Sequence, residues 1–198
     1  LSRTLGESST GSLLNLSGDA VVYVSATADD IPAVQELYAE NPSSPTAPSA
    51  TGGNAVAIGS GASAGSTAIA LGALANASGS TSFAGTNSTA SGSSSVAIGS
   101  TSVASATSSM ALGYGTDATG DFSTAVGRNA QARATSANAF GRDSYAIGSQ
   151  ATAIGDSYAS GADSFAAAIA NNTSSYGATG DNSVAIGFGV TGSRSTSI

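Results

Sequence analysis

The sequence contains no cysteine, no histidine, no tryptophan and no lysine, and only 9% of its 198 residues are charged. Each absence closes a class of function. Without cysteine there is neither a disulfide framework nor a thiolate nucleophile, and without cysteine or histidine the usual zinc, copper and haem ligand sets cannot be assembled. No metal and no cofactor are expected. Five arginines stand against twelve acids, a net charge of -7. A phosphate backbone therefore finds no electrostatic footing, and nucleic acid is not an expected partner. No run approaches 18 consecutive apolar residues, and Leu1-Ser2-Arg3-Thr4 does not open a basic and then apolar leader, so neither a membrane span nor a signal peptide is expected.

Large side chains are also scarce. Aromatics make up 6%, and the 40% counted as hydrophobic is carried largely by alanine, which leaves little to fill the interior of an ordinary globule. Glycine, serine and threonine take their place. Such a composition suits disorder, but disorder has no reason to keep a strict period.

Residues 1-48 read as a separate N-terminal module. Ala20-Val21-Val22-Tyr23-Val24 is rich in strand formers, and Asp29-Asp30-Ile31-Pro32 supplies caps and an early-turn proline for a short helix. Ile31, Val34, Leu37 and Tyr38 share one face of that helix, which is too short to stand alone in water and should dock on something. Asn41-Pro42-Ser43-Ser44-Pro45-Thr46-Ala47-Pro48 follows as an extended linker.

Residues 49-198 form the second domain, in which one phrase recurs from Asn54 onward. Its clear copies are Val56-Ala57-Ile58-Gly59, Ile69-Ala70-Leu71-Gly72, Val96-Ala97-Ile98-Gly99, Met110-Ala111-Leu112-Gly113, Thr124-Ala125-Val126-Gly127, Asn138-Ala139-Phe140-Gly141, Thr152-Ala153-Ile154-Gly155 and Val184-Ala185-Ile186-Gly187. Degenerate copies are read at Ser82-Phe83-Ala84-Gly85 and Ala167-Ala168-Ile169-Ala170. Most spacings are 13 or 14 residues, the mark of a repeat array. Each unit offers a strand ending at a glycine, where a tight turn can use positive φ, and a second alanine column five residues later (Ala64, Ala77, Ala90, Ala104, Ala118, Ala132, Ala146). Two short strands joined by two corners make the coil of a β-solenoid, and ten coils predict a rod of about 48 Å.

Alternation within the first strand predicts assembly. One face carries Ile58, Leu71, Ile98, Leu112, Val126, Phe140, Ile154 and Ile186, and the other carries Ala57, Ala70, Ala97, Ala111, Ala125, Ala139, Ala153 and Ala185. A two-layer coil buries only one face of each strand, so the other apolar face must meet another chain. The expectation is that the large column fills the coil while the alanine column lets a partner approach closely. The second strand has one wet face, where Tyr145 is a candidate exposed contact.

Ser95-Val96-Ala97-Ile98-Gly99 and Ser183-Val184-Ala185-Ile186-Gly187 resemble the repeat of YadA-type heads of trimeric autotransporter adhesins, and the resemblance extends over about Asn54 to Ile198. It implies an all-β, left-handed parallel β-roll of about ten coils, three of which pack around a common axis. Similar rolls also serve in phage fibres.

Enzyme motifs fail on their own chemistry. Gly61-Ala62-Ser63-Ala64-Gly65 fits a nucleophile elbow, but the chain has no histidine to act as base. Gly187-Phe188-Gly189-Val190-Thr191-Gly192 fits a dinucleotide loop without the helix and distal acid that such a loop needs. The aspartates sit at different coil positions rather than in a calcium ladder. The outward second-strand column Ser63, Asn76, Thr89, Val103, Asp117, Gln131, Tyr145 supplies no threonine file for an ice surface.

These readings converge on a non-enzymatic, extracellular attachment fibre. Its expected partners are two further copies of itself and a surface receptor, matrix protein or glycan, with residues 1-48 as the anchor to a cell envelope. The alternative is a virion fibre docked through the same N-terminal module.

Overall fold

The computed structural model describes residues 46–167 and 177–187 together with the backbone of a final strand, Thr196–Ser197. The expected strand near Val21 and the helix through Ile31, Val34, Leu37 and Tyr38 lie outside the described residues. All named elements are strands of two or three residues, stacked in two parallel sheets. A wide sheet of eleven strands collects the Val-Ala-Ile phrases, and a narrow sheet of nine collects the second alanine column. Eight turns carry a strand in both sheets, from Val56–Ile58 with Ser63–Ala64 to Thr152–Ile154 with Tyr158–Ala159. Above them Phe165–Ala167 and Val184–Ile186 continue the wide sheet, joined to the narrow side by the bridge between Ala159 and Ala178.

Strand pairing sets the true register of the degenerate copies. Phe83 pairs with Val96 and Ala84 with Ala97, so the third copy is Phe83-Ala84-Gly85. Gly85 thus occupies the isoleucine column rather than the phrase-ending glycine column, and the alanine column is unbroken there. Near the other end Phe165, Ala166 and Ala167 pair with Val184, Ala185 and Ile186. The copy expected at Ala167-Ala168-Ile169-Ala170 is therefore Phe165-Ala166-Ala167, and residues 168–176 lie outside the described residues. Counting to the last residue of a phrase missed both: Gly85 looked like the phrase-ending glycine, and Ala168-Ile169 looked like the Ala-Ile of the phrase.

The interior overturns the expected assignment of columns. Every phrase alanine from Ala70 to Ala185 is fully buried inside the coil, with Ala57 partly buried at the first turn. Ile58, Leu71, Ile98, Phe140, Ile154 and Ile186 point outward. The physical reason is the thinness of the coil: sheets joined by corners of three to five residues lie too close for large side chains to fit between them. Among the described residues nothing larger than threonine is fully buried.

Serine completes this interior and is tied to the corners. Ser95 Oγ donates to the Gly92 carbonyl (2.7 Å), and Ser82, Ser109 and Ser164 make the same bond to the residue three back. Each bond satisfies a buried hydroxyl and a corner carbonyl together.

Both corners are hydrogen-bonded ladders. The second-corner turn from Gly120 to Ser123 is closed by Ser123 N–H to the Gly120 carbonyl, and Phe122 at its third position has φ 58°, as a type II turn requires. Phe122 N–H in turn donates to Thr107 O in the coil below (2.8 Å). Thr101, Leu74 and Asn129 hold the same left-handed conformation at the first corner. Inter-coil bonding offsets the cost of holding non-glycine residues there.

Candidate functional site

With the interior closed by alanine and serine, chemistry is confined to the outside, which offers three surfaces. The outer face of the wide sheet is set by the first and third residue of each strand, because the second points inward. Val56, Ile58, Ile69, Leu71, Ile98, Met110, Phe140, Ile154 and Ile186 are each between 38% and 45% exposed on it. None of its twenty positions, from Val56 to Ile186, is charged. Ten levels spaced at about 4.8 Å give an apolar strip on the order of 43 Å long.

The outer face of the narrow sheet is different in kind. Its leading column runs Ser63, Asn76, Thr89, Val103, Asp117, Gln131, Tyr145 and Tyr158. Tyr145 and Tyr158 stack with ring centroids 6.3 Å apart and ring planes tilted by 30°. Gln131 lies below them with its Oε1 buried and without a hydrogen-bond partner, and Ile147 and the exposed Arg133 lie two residues further along the neighbouring strands. Tyr158 was not anticipated in the sequence. Its phrase belongs to a 13-residue coil, and counting 14 residues on from Tyr145 reaches Ala159 instead.

The first corner carries the ion pairs. Arg128 Nη2 lies 3.4 Å from Asp143 Oδ2, Arg142 Nε 3.4 Å from the same oxygen, and Arg142 Nη2 3.5 Å from Asp156 Oδ2. Asn129 Nδ2 donates to Asp143 Oδ1 (2.9 Å). The stacking of Arg142 on Asp156 one coil away follows the repeat spacing. At the opposite corner Asp121 and Asp181 accept backbone N–H bonds from Thr107 and Ala162. These acids are corner caps and ion-pair partners, and no group of three among the described residues is arranged to hold a metal ion. Exposed aromatic and aliphatic side chains also project from the corners at Leu74, Tyr114 and Phe122.

Comparison with known families agrees with the coil geometry. The model of the YadA head domain repeat matches residues 85–102, 104–130, 118–141, 139–157 and 177–189. These matches fall on the turns whose wide strands pair in the Val-Ala-Ile register. No curated protein matches the chain. No helix among the described residues is long and apolar enough to cross a membrane.

Proposed function

We propose that this protein, which matches YadA-type head repeats within residues 85–157 and 177–189 and whose described strands form a parallel β-solenoid, is the head of a trimeric adhesin displayed outside the cell. YadA heads are structural attachment modules rather than enzymes, and the fold is suited to that role. It is a stack of hydrogen-bonded coils whose interior, among the described residues, holds only small side chains. The observation that carries the proposal is the uncharged apolar face of the wide sheet. Apolar patches beyond a few hundred Å² are rare on monomers, and depletion of charge is the signature of an interface core. The partner surface therefore involves the large column, Ile58 to Ile186, with the first-column residues beside it, while the alanine column stays inside each protomer.

Trimer formation leaves the narrow sheet turned away from the other copies. The receptor contact is assigned to that side, at Tyr145 and Tyr158, since paired aromatics with a polar rim are what binding hot spots are made of. Residues 1-48 are the anchoring module. Light scattering on the full chain should give three copies. Beads coated with the protein should adhere to host cells or immobilised matrix and glycans, and Tyr145→Ala with Tyr158→Ala should abolish adhesion while the mass stays that of a trimer. A monomer at all concentrations, or undiminished adhesion of the double variant, refutes the corresponding half of the proposal.

The virion-fibre reading is favoured by one feature, the Pro-rich linker after a short amphipathic segment at Ile31, Val34, Leu37 and Tyr38. Imaging the intact protein on a cell envelope or on a virion decides between the two settings.

A further inference from the structure

The two columns of the wide-sheet outer face are correlated level by level. All three phenylalanines on this face share a level with a small or polar residue: Phe83 with Gly85, Phe140 with Asn138, and Phe165 with Ala167. The other levels pair residues of middle size, such as Val96 with Ile98 or Thr124 with Val126.

Gly85 shows that the coil itself does not demand this. Its φ is outside the positive region, and a Cβ added there would first meet Ile98 Cα at 3.6 Å, an ordinary contact. By contrast Gly99 has φ 125°, and a Cβ there would collide with the Gly113 carbonyl oxygen. A lone coil with one outer face in water has no reason to give each phenylalanine a small or polar companion on its own level. A face pressed against a second surface at fixed distance does, because interiors and interfaces are close-packed.

We propose that the Phe83 and Phe165 levels are register keys for self-association of this chain. The inference rests on the trimer reading and adds to it which residues meet. Rotation about an axis parallel to the rod leaves every level at its own height, so it brings the first column of one copy against the third column of the next at the same level. Phe83 then fills the space over the neighbour's Gly85, Phe140 stands against the neighbour's Asn138, and Phe165 against its Ala167. The occupant is a second copy of this chain, on two grounds. The strip, about 43 Å long and about 10 Å wide, has on the order of 430 Å² to cover, the size of the largest and often functional patch on a monomer, and it runs unbroken over all ten levels as a second identical rod would. It also holds no charge that a charged partner could meet. Ten near-identical levels would otherwise let two copies slip by one coil, about 4.8 Å, at little cost, as strands with weak patterning slip in register. A slipped pair sets Phe83 against Leu71 or Ile98, where space exists only for residues of middle size, and such overpacking is unfavourable.

Two experiments on the full chain test this. In the first, Gly85→Phe puts two aromatics on one level and should raise the concentration for half-assembly at least tenfold by sedimentation, while Phe83→Ala with Gly85→Phe should recover assembly to within a few fold. Circular dichroism of each variant reports whether the coil is folded. A folded Gly85→Phe variant that assembles like the parent, or a folded double variant that stays impaired, overturns the keys while leaving the trimer standing; a parent that is monomeric overturns both. In the second, oxidised Thr124→Cys with Val126→Cys should run as a covalent trimer on a denaturing gel, because the two positions face each other across copies at one level. Thr124→Cys with Leu112→Cys, one level out of step, should not. Preferential linkage of the offset pair overturns the proposed register even if the assembly is trimeric.

Discussion

Ala153 and Ile154 are adjacent in one strand and divide the work of the repeat between them: Ala153 is fully buried inside the coil, while Ile154 is 42% exposed on its outer face. Their substitution should therefore fail in different ways. Ala153→Leu adds three carbons to an interior with no room for them and should cost at least the ~1–3 kcal/mol typical of overpacking. That loss should appear at every protein concentration. Ile154→Ser should leave the isolated coil folded and lower the melting temperature mainly where the protein is dilute, because what it removes is contact between copies. Thermal melts at two concentrations a hundredfold apart separate the two effects.

The buried hydroxyls differ in whether they are satisfied. Ser95 Oγ bonds the Gly92 carbonyl, whereas Ser102 Oγ is buried without a partner. Ser95→Ala should cost about 1 kcal/mol, and Ser102→Ala should be neutral or slightly stabilising. Alanine already stands in the Ser95 column at Ala68 and Ala137, so the variant coils should remain folded. Chemical denaturation of both variants gives the comparison directly.

Gly99 and Gly85 make a second contrasting pair. Gly99→Ala must force a left-handed residue against the next coil's backbone, and should cost several times the ~1–2 kcal/mol of the conformation alone. Gly85→Ala meets only ordinary contacts within its own chain and should be tolerated. Equal losses in melting temperature would show that the register placing Gly85 in the isoleucine column is wrong.

Arg142 reaches both Asp143 and Asp156, yet its side chain is 63% exposed. Exposed pairs contribute about 0–1 kcal/mol. Arg142→Ser should therefore change stability by less than about 1 kcal/mol, and the difference from the parent should shrink further in concentrated salt. A loss matching that of Ala153→Leu would mean that this corner carries far more than a solvated ion pair.

Much of the fold was legible because repetition amplifies weak signals. A single Ser95-Val96-Ala97-Ile98-Gly99 says little, but its return every 13 or 14 residues places strands, corners and the parallel pairing Ala97 to Ala111 to Ala125 without further information. Where the spacing contracts, that legibility fails. Tyr158 escaped notice because its coil is one residue short, and Gly85 was misassigned because glycine is expected at a corner. The left-handed conformations of Thr101, Leu74 and Phe122 carried no signal either, since their side chains give no hint of positive φ.

The sequence by itself determined that the chain repeats, that each repeat holds two short strands, and that one strand has more apolar surface than a single coil can hide. Periodicity and side-chain type are enough for those conclusions, because both are properties of the chain and not of distance. Which face turns inward was decided only in three dimensions. Alternation makes Ala153 and Ile154 opposite without saying which is inside, and it is the spacing between two sheets closed by corners of three to five residues that admits the methyl group and excludes the branched chain. That one steric fact moves the isoleucine column from the core to the surface, and with it the interface from alanine to the large side chains.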